Sequence, residues 1–112
     1  MQIADRICDE IVDLRYPENE RIPSVRDYCA LVEVNVNTAN RAYDFLLQQG
    51  VLYNKRGIGY FVSKGAVALI LNFRRNSFLN TDVPEFFRQM DQLSVSIDDI
   101  VEMYRHHTGG AV

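Results

Sequence analysis

The sequence has no run of about eighteen apolar residues, the length that a membrane-spanning helix requires. Its first residues lack the basic-then-apolar pattern of a secretion signal, so we expect neither export nor membrane insertion. Cysteine is scarce as well, because Cys8 and Cys29 are the only two and neither forms a Cys-x-x-Cys or Cys/His pair. We therefore expect buried thiols in a reducing cytoplasm rather than a disulfide or a metal site.

Patterns that would indicate an enzyme are also missing. The chain has no glycine-rich phosphate loop after a strand, no Ser/His/Asp or Cys/His nucleophile arrangement and no cluster with metal-ligand spacing. The adjacent carboxylates Asp98 and Asp99 stand at a predicted helix start, where the helix dipole accounts for them. Residues 106–110, with His106 and His107, are expected to be a frayed, solvated end. The sequence thus predicts no enzyme, no cofactor and no metal, and it identifies no effector ligand.

The sequence also lacks an overall positive charge, because its formal net charge at pH 7 is −3. The charge is unevenly distributed: residues 1–20 carry a net −4, residues 21–64 a net +3 and residues 65–112 a net −2. The acidic average argues against strong non-specific binding to nucleic acid. A locally basic segment can still meet DNA phosphates, however, because the local field acts on them.

Two amphipathic helices are predicted before residue 35. The first spans about residues 2–15, before Pro17, and its apolar residues repeat at helical spacing: Ile3, Ile7, Ile11 and Leu14. The second begins at Ser24, a residue that can cap a helix, and runs to about Val32, with Leu31 among its buried residues.

The third helix carries the surface on which the functional hypothesis rests. Only Glu33 and Val34 separate the second helix from Asn35, the predicted N-cap, and the third helix ends before Gly50. Two helices joined by so short a turn form a helix-turn-helix. The polar face of the first two turns carries four side chains that can bond phosphates and base edges: Asn37, Thr38, Asn40 and Arg41. Taken alone, this helix reads as an ordinary solvated amphipathic helix.

A β-hairpin is predicted over residues 51–62, where Gly57 and Gly59 permit the positive φ angles of a tight connection. Lys55 and Arg56 place two cations at the hairpin tip. Basic tips often serve solubility alone, but directly after a helix-turn-helix the hairpin indicates the wing of a winged helix.

The remaining residues predict a helical tail that needs partners. The segment from Ala66 to Leu79 is apolar on more than one side, beyond what one chain of this length covers. A break or kink is expected near Pro84, with Thr81 or Asp82 placed to cap the restart. A last helix begins at a capping box and is expected to bury four residues: Ile97, Ile100, Val101 and Tyr104.

We expect the tail to dimerise the protein, because large apolar side chains dominate such interfaces. The candidate interface residues are Ile70, Phe73, Phe78, Phe86 and Phe87. The alternative is that these side chains only pack the tail onto its own winged helix.

Four motifs occur in the order and spacing of a known family. They are Pro-Ser-x-Arg from residue 23, Val-Asn-x-Asn-Thr from residue 34, Arg-Ala-Tyr from residue 41 and Gly-x-Gly-x-Phe-Val from residue 57. Together they strongly resemble the GntR family of bacterial transcription regulators. The short YtrA-like branch, which carries a small helical dimerisation region, is the most similar. Two positions depart from many relatives: Glu33 stands where they have Gly, and Val36 where they have Arg or Pro.

The resemblance implies a homodimer on a palindromic DNA operator, acting as a repressor, with a transporter operon as the suggested target. The candidate DNA-contacting residues, from the resemblance and the charge pattern together, are Ser24, Arg26, Asn35, Asn37, Thr38, Asn40, Arg41, Lys55, Arg56 and Gly57. Two of them have alternatives: Arg41 could pair with Asp44, and Thr38 could simply help to cap the helix. Val36 in place of Arg shifts the expected base preference toward apolar contact with a thymine methyl group.

We therefore predict a cytoplasmic α+β protein with two parts. Residues 1–64 form a winged helix-turn-helix that binds DNA, and residues 65–112 form a helical dimerisation tail. The alternative function is a winged helix used as a protein-interaction module without DNA binding.

Overall fold

The computed structural model describes residues 2–107. Its elements in chain order are α1 (Gln2–Val12), α2 (Val25–Val32), α3 (Val36–Gln48), β1 (Leu52–Lys55), β2 (Gly59–Val62), α4 (Ala66–Ser77), a π-helical turn (Phe78–Asp82), α5 (Val83–Leu93) and α6 (Ile97–His107). The chain divides into two compact units, one ending at Phe73 and the other beginning at Arg74. Three helices followed by a hairpin give the first unit the predicted α+β winged-helix fold.

The core of the first unit joins the apolar stripes of α1 and α3 to the hairpin and the start of α4. Fully buried side chains come from each of these elements and include Ile7, Ile11, Tyr43, Leu46, Val62 and Ile70. Cys8 and Cys29 are buried and are not joined in a disulfide, as predicted. Ala66 and Ile70 carry α4 into this core, which explains why the compact unit continues to Phe73. The functional division between residues 64 and 65 stays a prediction.

The end of α1 differs from the prediction. The helix stops at Val12 rather than near residue 15, because Leu14 adopts a left-handed conformation with φ of 63°. The Leu14 amide donates to the carbonyl of Ile11 (3.0 Å) and the Arg15 amide to that of Glu10 (2.9 Å), which is the Schellman pattern of helix termination. The side chain of Leu14 is 66% exposed, so it does not belong to the buried stripe of α1 as its spacing predicted.

The second helix follows the prediction except for one side chain. The hydroxyl oxygen of Ser24 accepts a hydrogen bond from the Asp27 amide (3.1 Å), which confirms the N-cap. Glu33 ends the helix in a left-handed conformation, and its amide donates to the Cys29 carbonyl. Leu31, predicted to be buried, is 70% exposed, because α2 turns Tyr28 and Cys29 toward the core instead.

The hairpin has a third extended segment beside it that the sequence did not predict. β1 and β2 pair antiparallel, with Lys55 opposite Gly59 at the tip. On the other side of β2, the Asn19 amide donates to the Val62 carbonyl (2.7 Å) and the Ile22 amide to the Tyr60 carbonyl (2.9 Å). Arg21 consequently lies opposite Phe61 in an isolated antiparallel bridge.

Tyr43 of α3 connects three parts of the first unit. Its buried hydroxyl donates a 2.6 Å hydrogen bond to the Pro23 carbonyl, immediately before α2. Its ring makes edge contacts with Tyr60 of β2 and Tyr28 of α2, at centroid distances of 4.9 and 6.2 Å. Burial raises the pKa of Tyr43, so the hydroxyl keeps the proton that it donates. One side chain therefore holds the start of α2, α3 and the wing in a common arrangement.

In the second unit the backbone stays helical through the π-helical turn instead of breaking. The Val83 amide donates to the Phe78 carbonyl in the wider π pattern, and Pro84 falls in the first turn of α5, where a missing N–H is tolerated. Asp82 has helical φ and ψ angles and makes no side-chain capping bond, and Thr81 lies inside the turn. The predicted capped restart is therefore wrong.

The start of α6 is as predicted, but its buried face is not. The Asp99 amide donates to the Ser96 hydroxyl (3.1 Å) and the Ser96 amide to the Asp99 carboxylate (3.2 Å), which is a capping box. Three residues predicted to be buried are exposed in the single chain: Ile97, Val101 and Tyr104. The helix includes His106 and His107, so the predicted fraying of these two is wrong, and residues 108–110 lie outside the described residues. Of the helices within residues 2–107, none has both the length and the apolarity to span a membrane.

The hydroxyl of Tyr43 gives a direct test of this arrangement. Tyr43→Phe leaves the partly buried Pro23 carbonyl without its donor, so we expect a loss of about 0.5–1.5 kcal/mol in the free energy of unfolding. Urea unfolding at one fixed protein concentration measures it. The control is Tyr53→Phe, which removes an exposed 3.2 Å bond to Asn19 and should cost less than about 0.5 kcal/mol. Equal losses in the two variants would contradict the role given to Tyr43.

Candidate nucleic-acid interface

The N-terminal end of α3 presents an ordered polar surface. The Asn35 side-chain oxygen accepts a 2.7 Å hydrogen bond from the Asn37 amide, which confirms the predicted N-cap and leaves the Asn35 amide group free to donate outward. On the opposite face, Ala39, Ala42 and Tyr43 are completely buried and fix the rotation of the helix about its axis. The four predicted side chains then all face solvent: Asn37, Thr38, Asn40 and Arg41.

Thr38 and Arg41 are the two residues of this surface for which an alternative role was open, namely helix capping and pairing with Asp44. The cap of α3 is made by Asn35, and the Thr38 hydroxyl has no hydrogen-bond partner among residues 2–107. Arg41 forms no ion pair with Asp44 or with any other carboxylate of residues 2–107. The polar groups of both side chains thus remain available to a ligand.

The start of α2 is a second group of exposed donors. The Ser24 hydroxyl accepts the capping bond from Asp27 and can still donate its own proton. Arg26 in the first turn is exposed and, within the described residues, has no ion-pair partner. An unpaired guanidinium beside a helix N-terminus favours an anionic ligand, because the helix dipole acts in the same direction.

The wing tip is the third group. Lys55 and Arg56 are exposed, and Gly57 adopts a φ of 78° with open space where a side chain would be, so its backbone can be approached closely. The Lys55 ammonium lies 4.6 Å from the ring centroid of Phe61, which directs the side chain across the hairpin. Ile58, also at the tip, is exposed and was not among the predicted contacts.

Tyr43 links these three groups. It lies on α3, its hydroxyl donates to the Pro23 carbonyl next to Ser24, and its ring contacts Tyr60 in strand β2 of the wing. Hydroxyl, amide and guanidinium donors from α2, α3 and the wing therefore belong to one compact unit. Such a set can bond phosphates and base edges at the same time. The structure adds Arg21, which the sequence did not single out, because its place beside the wing depends on the pairing of residues 19–22 with β2.

The predicted interface residues of the tail divide into two sets. Ile70 is completely buried in the core of the first unit, and Phe73 is half-buried with an edge contact to Phe45 at 6.2 Å. The structural role of Ile70 in that core removes it from the interface that we consider below. Phe78, Phe86 and Phe87 are exposed in the second unit, with 55%, 43% and 51% of their surface accessible.

Comparison with known proteins agrees with this geometry. The family model described as bacterial regulatory proteins, gntR family, matches residues 1–62. The crystal structure of a GntR-family transcriptional regulator from Bacteroides thetaiotaomicron is 49% identical over 96% of this chain and 94% of its own, with a TM-score of 0.82. The HTH-type transcriptional regulator YhcF of Bacillus subtilis is 27% identical over 98% of this chain and 89% of YhcF. The HTH-type transcriptional repressor YtrA of the same organism is 34% identical over 42% of this chain and 36% of YtrA.

Proposed function

Because the chain belongs to the gntR family of bacterial regulatory proteins, we propose that it is a homodimeric repressor that binds a palindromic operator. Family membership makes it a DNA-binding transcription regulator. The repressing role is supported by its similarity to the repressor YtrA. The resemblance to the YtrA-like branch favours a transporter operon as the regulated target. The protein would act in the cytoplasm.

The observation that carries the proposal is the exposed polar face at the N-terminus of α3. A recognition helix presents its N-terminal side chains to base edges in the major groove, where Asn pairs with adenine through two hydrogen bonds. Asn37, Thr38 and Asn40 have that placement and are exposed. Val36, which is 50% exposed on the same turn, offers an apolar contact to a thymine methyl group.

Residues near α3 supply the proposed phosphate contacts. Arg26, Arg41, Lys55 and Arg56 supply charge, while Ser24, Asn35 and the Gly57 backbone supply neutral donors. Such contacts set the position and orientation of the protein on the duplex without reading sequence. The net charge of +3 over residues 21–64 concentrates this attraction in the winged helix.

The second unit supports the dimer. Met90 is its one buried hydrophobic side chain among the described residues, whereas nine large hydrophobic side chains are exposed: Phe78, Leu79, Phe86, Phe87, Leu93, Ile97, Val101, Met103 and Tyr104. An apolar surface of this kind marks an association site, and aromatic side chains act as its anchors. A two-fold dimer through these residues would place two recognition helices on one face of the DNA, about one helical turn or a multiple of it apart.

The phosphate contacts predict a change in salt dependence. Replacing Arg26, Arg41, Lys55 or Arg56 with Ala should weaken binding to every DNA sequence and lower the slope of log affinity against log salt by about one unit. Arg15→Ala is the control, because Arg15 borders a groove whose other charged residues are mostly acidic: Arg6, Asp9, Glu10 and Asp13. Unchanged slopes in all four variants would contradict the assignment. A salt-independent response of the native protein to any duplex would favour a protein-interaction module instead.

Base reading predicts a different result for Asn37. If Asn37 reads an adenine, Asn37→Ala should cost roughly 1–3 kcal/mol of binding free energy at one base position and relax the preference there. Selection of operator variants from a random pool, followed by sequencing, measures the preference at each position. Gln48→Ala, at the exposed far end of the same helix, should leave the preference intact. An equal loss on cognate and random DNA would mean that Asn37 contacts the backbone.

The dimer is tested with the full-length chain by sedimentation. The native protein should sediment at about twice the chain mass of 12.9 kDa, and Phe86→Ser with Phe87→Ser should shift it toward the monomer. The double variant should also bind a full operator far more weakly, because the second half-site loses its high effective concentration. Leu14→Ser is the control, because Leu14 is an exposed apolar residue of the first unit. A native protein that is monomeric at micromolar concentrations without DNA would contradict a preformed dimer.

A further inference from the structure

The outer face of the wing is built from alternate residues of the hairpin. Tyr53, Lys55, Gly59 and Phe61 share this face, because Tyr53 is opposite Phe61 and Lys55 opposite Gly59 in the antiparallel register. The Tyr53 and Phe61 rings stack at a centroid distance of 5.6 Å and an interplanar angle of 19°. Arg21 belongs to the same face, since the bridge sets it directly opposite Phe61.

The guanidinium of Arg21 is packed over the backbone of Gly59. A Cβ atom at Gly59 would lie 2.8 Å from Nε and 3.3 Å from Nη2 of Arg21, so the absence of a side chain makes room for the guanidinium. Gly59 also has a φ of 140°, which L residues rarely adopt. The Arg21 side chain is thereby directed along the outer face of the wing toward the end of the hairpin.

Two cations therefore share this face without a neutralising carboxylate. The Lys55 ammonium lies over Phe61, and Arg21 is the cross-strand neighbour of the same residue. Arg21 is exposed, and no carboxylate among residues 2–107 lies within ion-pair distance of it. Two like charges held together repel each other, and an anion placed between or beside them relieves that repulsion. The planar guanidinium, with its fork of N–H donors, suits a phosphate in particular.

We propose that Arg21 is a further DNA contact, which binds a backbone phosphate beside the wing together with Lys55. The inference rests on the proposed function, in which the wing and α3 lie against DNA. Arg21 adds to that set because it stands between the wing and Ser24 at the start of α2, both of which are among the proposed contacts. The other role open to the side chain is to cover Gly59 and support the wing.

The test uses the full-length protein and a duplex that carries the selected operator. Arg21→Gln keeps a long polar side chain over Gly59 but removes the charge. We expect it to lower the slope of log affinity against log salt by about one unit and to weaken binding roughly five- to tenfold at moderate salt. Arg21→Lys, which keeps the charge, should retain the slope of the native protein. Arg15→Gln removes the same charge from acidic surroundings and is the matched control.

A supporting role alone predicts a different pattern. Arg21→Gln would then leave the slope unchanged, whatever it did to the melting temperature, and that result would overturn the proposal. A slope that falls equally in Arg15→Gln would also overturn it, because the effect would then reflect net charge. The proposed function fails separately, if the native protein shows no salt-dependent affinity for DNA. Native binding with an unaffected Arg21→Gln slope would reject the Arg21 contact alone.

Discussion

The hydrogen bond from Tyr43 to the Pro23 carbonyl, with the ring contacts of the same side chain, is the constraint on which the candidate interface depends. The start of α2, α3 and the wing are separate in sequence. Each presents hydrogen-bond donors, and these donors can contact one DNA duplex together only if the three elements keep one arrangement. Burial raises the pKa of the Tyr43 hydroxyl above its ordinary value, so the group remains a hydrogen-bond donor at neutral and at moderately alkaline pH. In the proposed interface, DNA recognition thus depends on a core residue that DNA would not touch.

The two units differ in how they bury apolar surface. The first has a core of its own, formed by helices, hairpin and the start of α4. In the second, Phe86, Phe87 and Tyr104 stay exposed although their spacing marks them for burial. Hydrophobic spacing reports that a face will be covered, but not by which chain. The apolar surface that the second unit leaves exposed is the physical basis of the proposed dimer.

Charge distribution decides the character of the proposed DNA binding. The chain is acidic overall, yet the segment that forms the recognition helix and the wing is basic. Acidic side chains elsewhere reduce the attraction to arbitrary duplex, whereas contacts in the winged helix act at close range, where they are least screened. The arrangement favours selective over non-specific binding. Glu33 ends α2 in a left-handed conformation that favours glycine, so the turn before α3 forms despite a less suitable residue.

Local signals in the sequence determined the features that local physics controls. Ser24, Asn35 and the Ser96/Asp99 pair cap helices as predicted, and the glycines of the wing mark its turn, because capping and positive φ depend on residues close in sequence. The exposed face of α3 followed from its periodicity. Tertiary structure alone decided that Leu31 faces solvent and that Ile70 belongs to the first core. It also set Arg21 beside Gly59, because that contact requires residues 19–22 to pair with residues 60–62 of β2, and no local pattern encodes such a pairing.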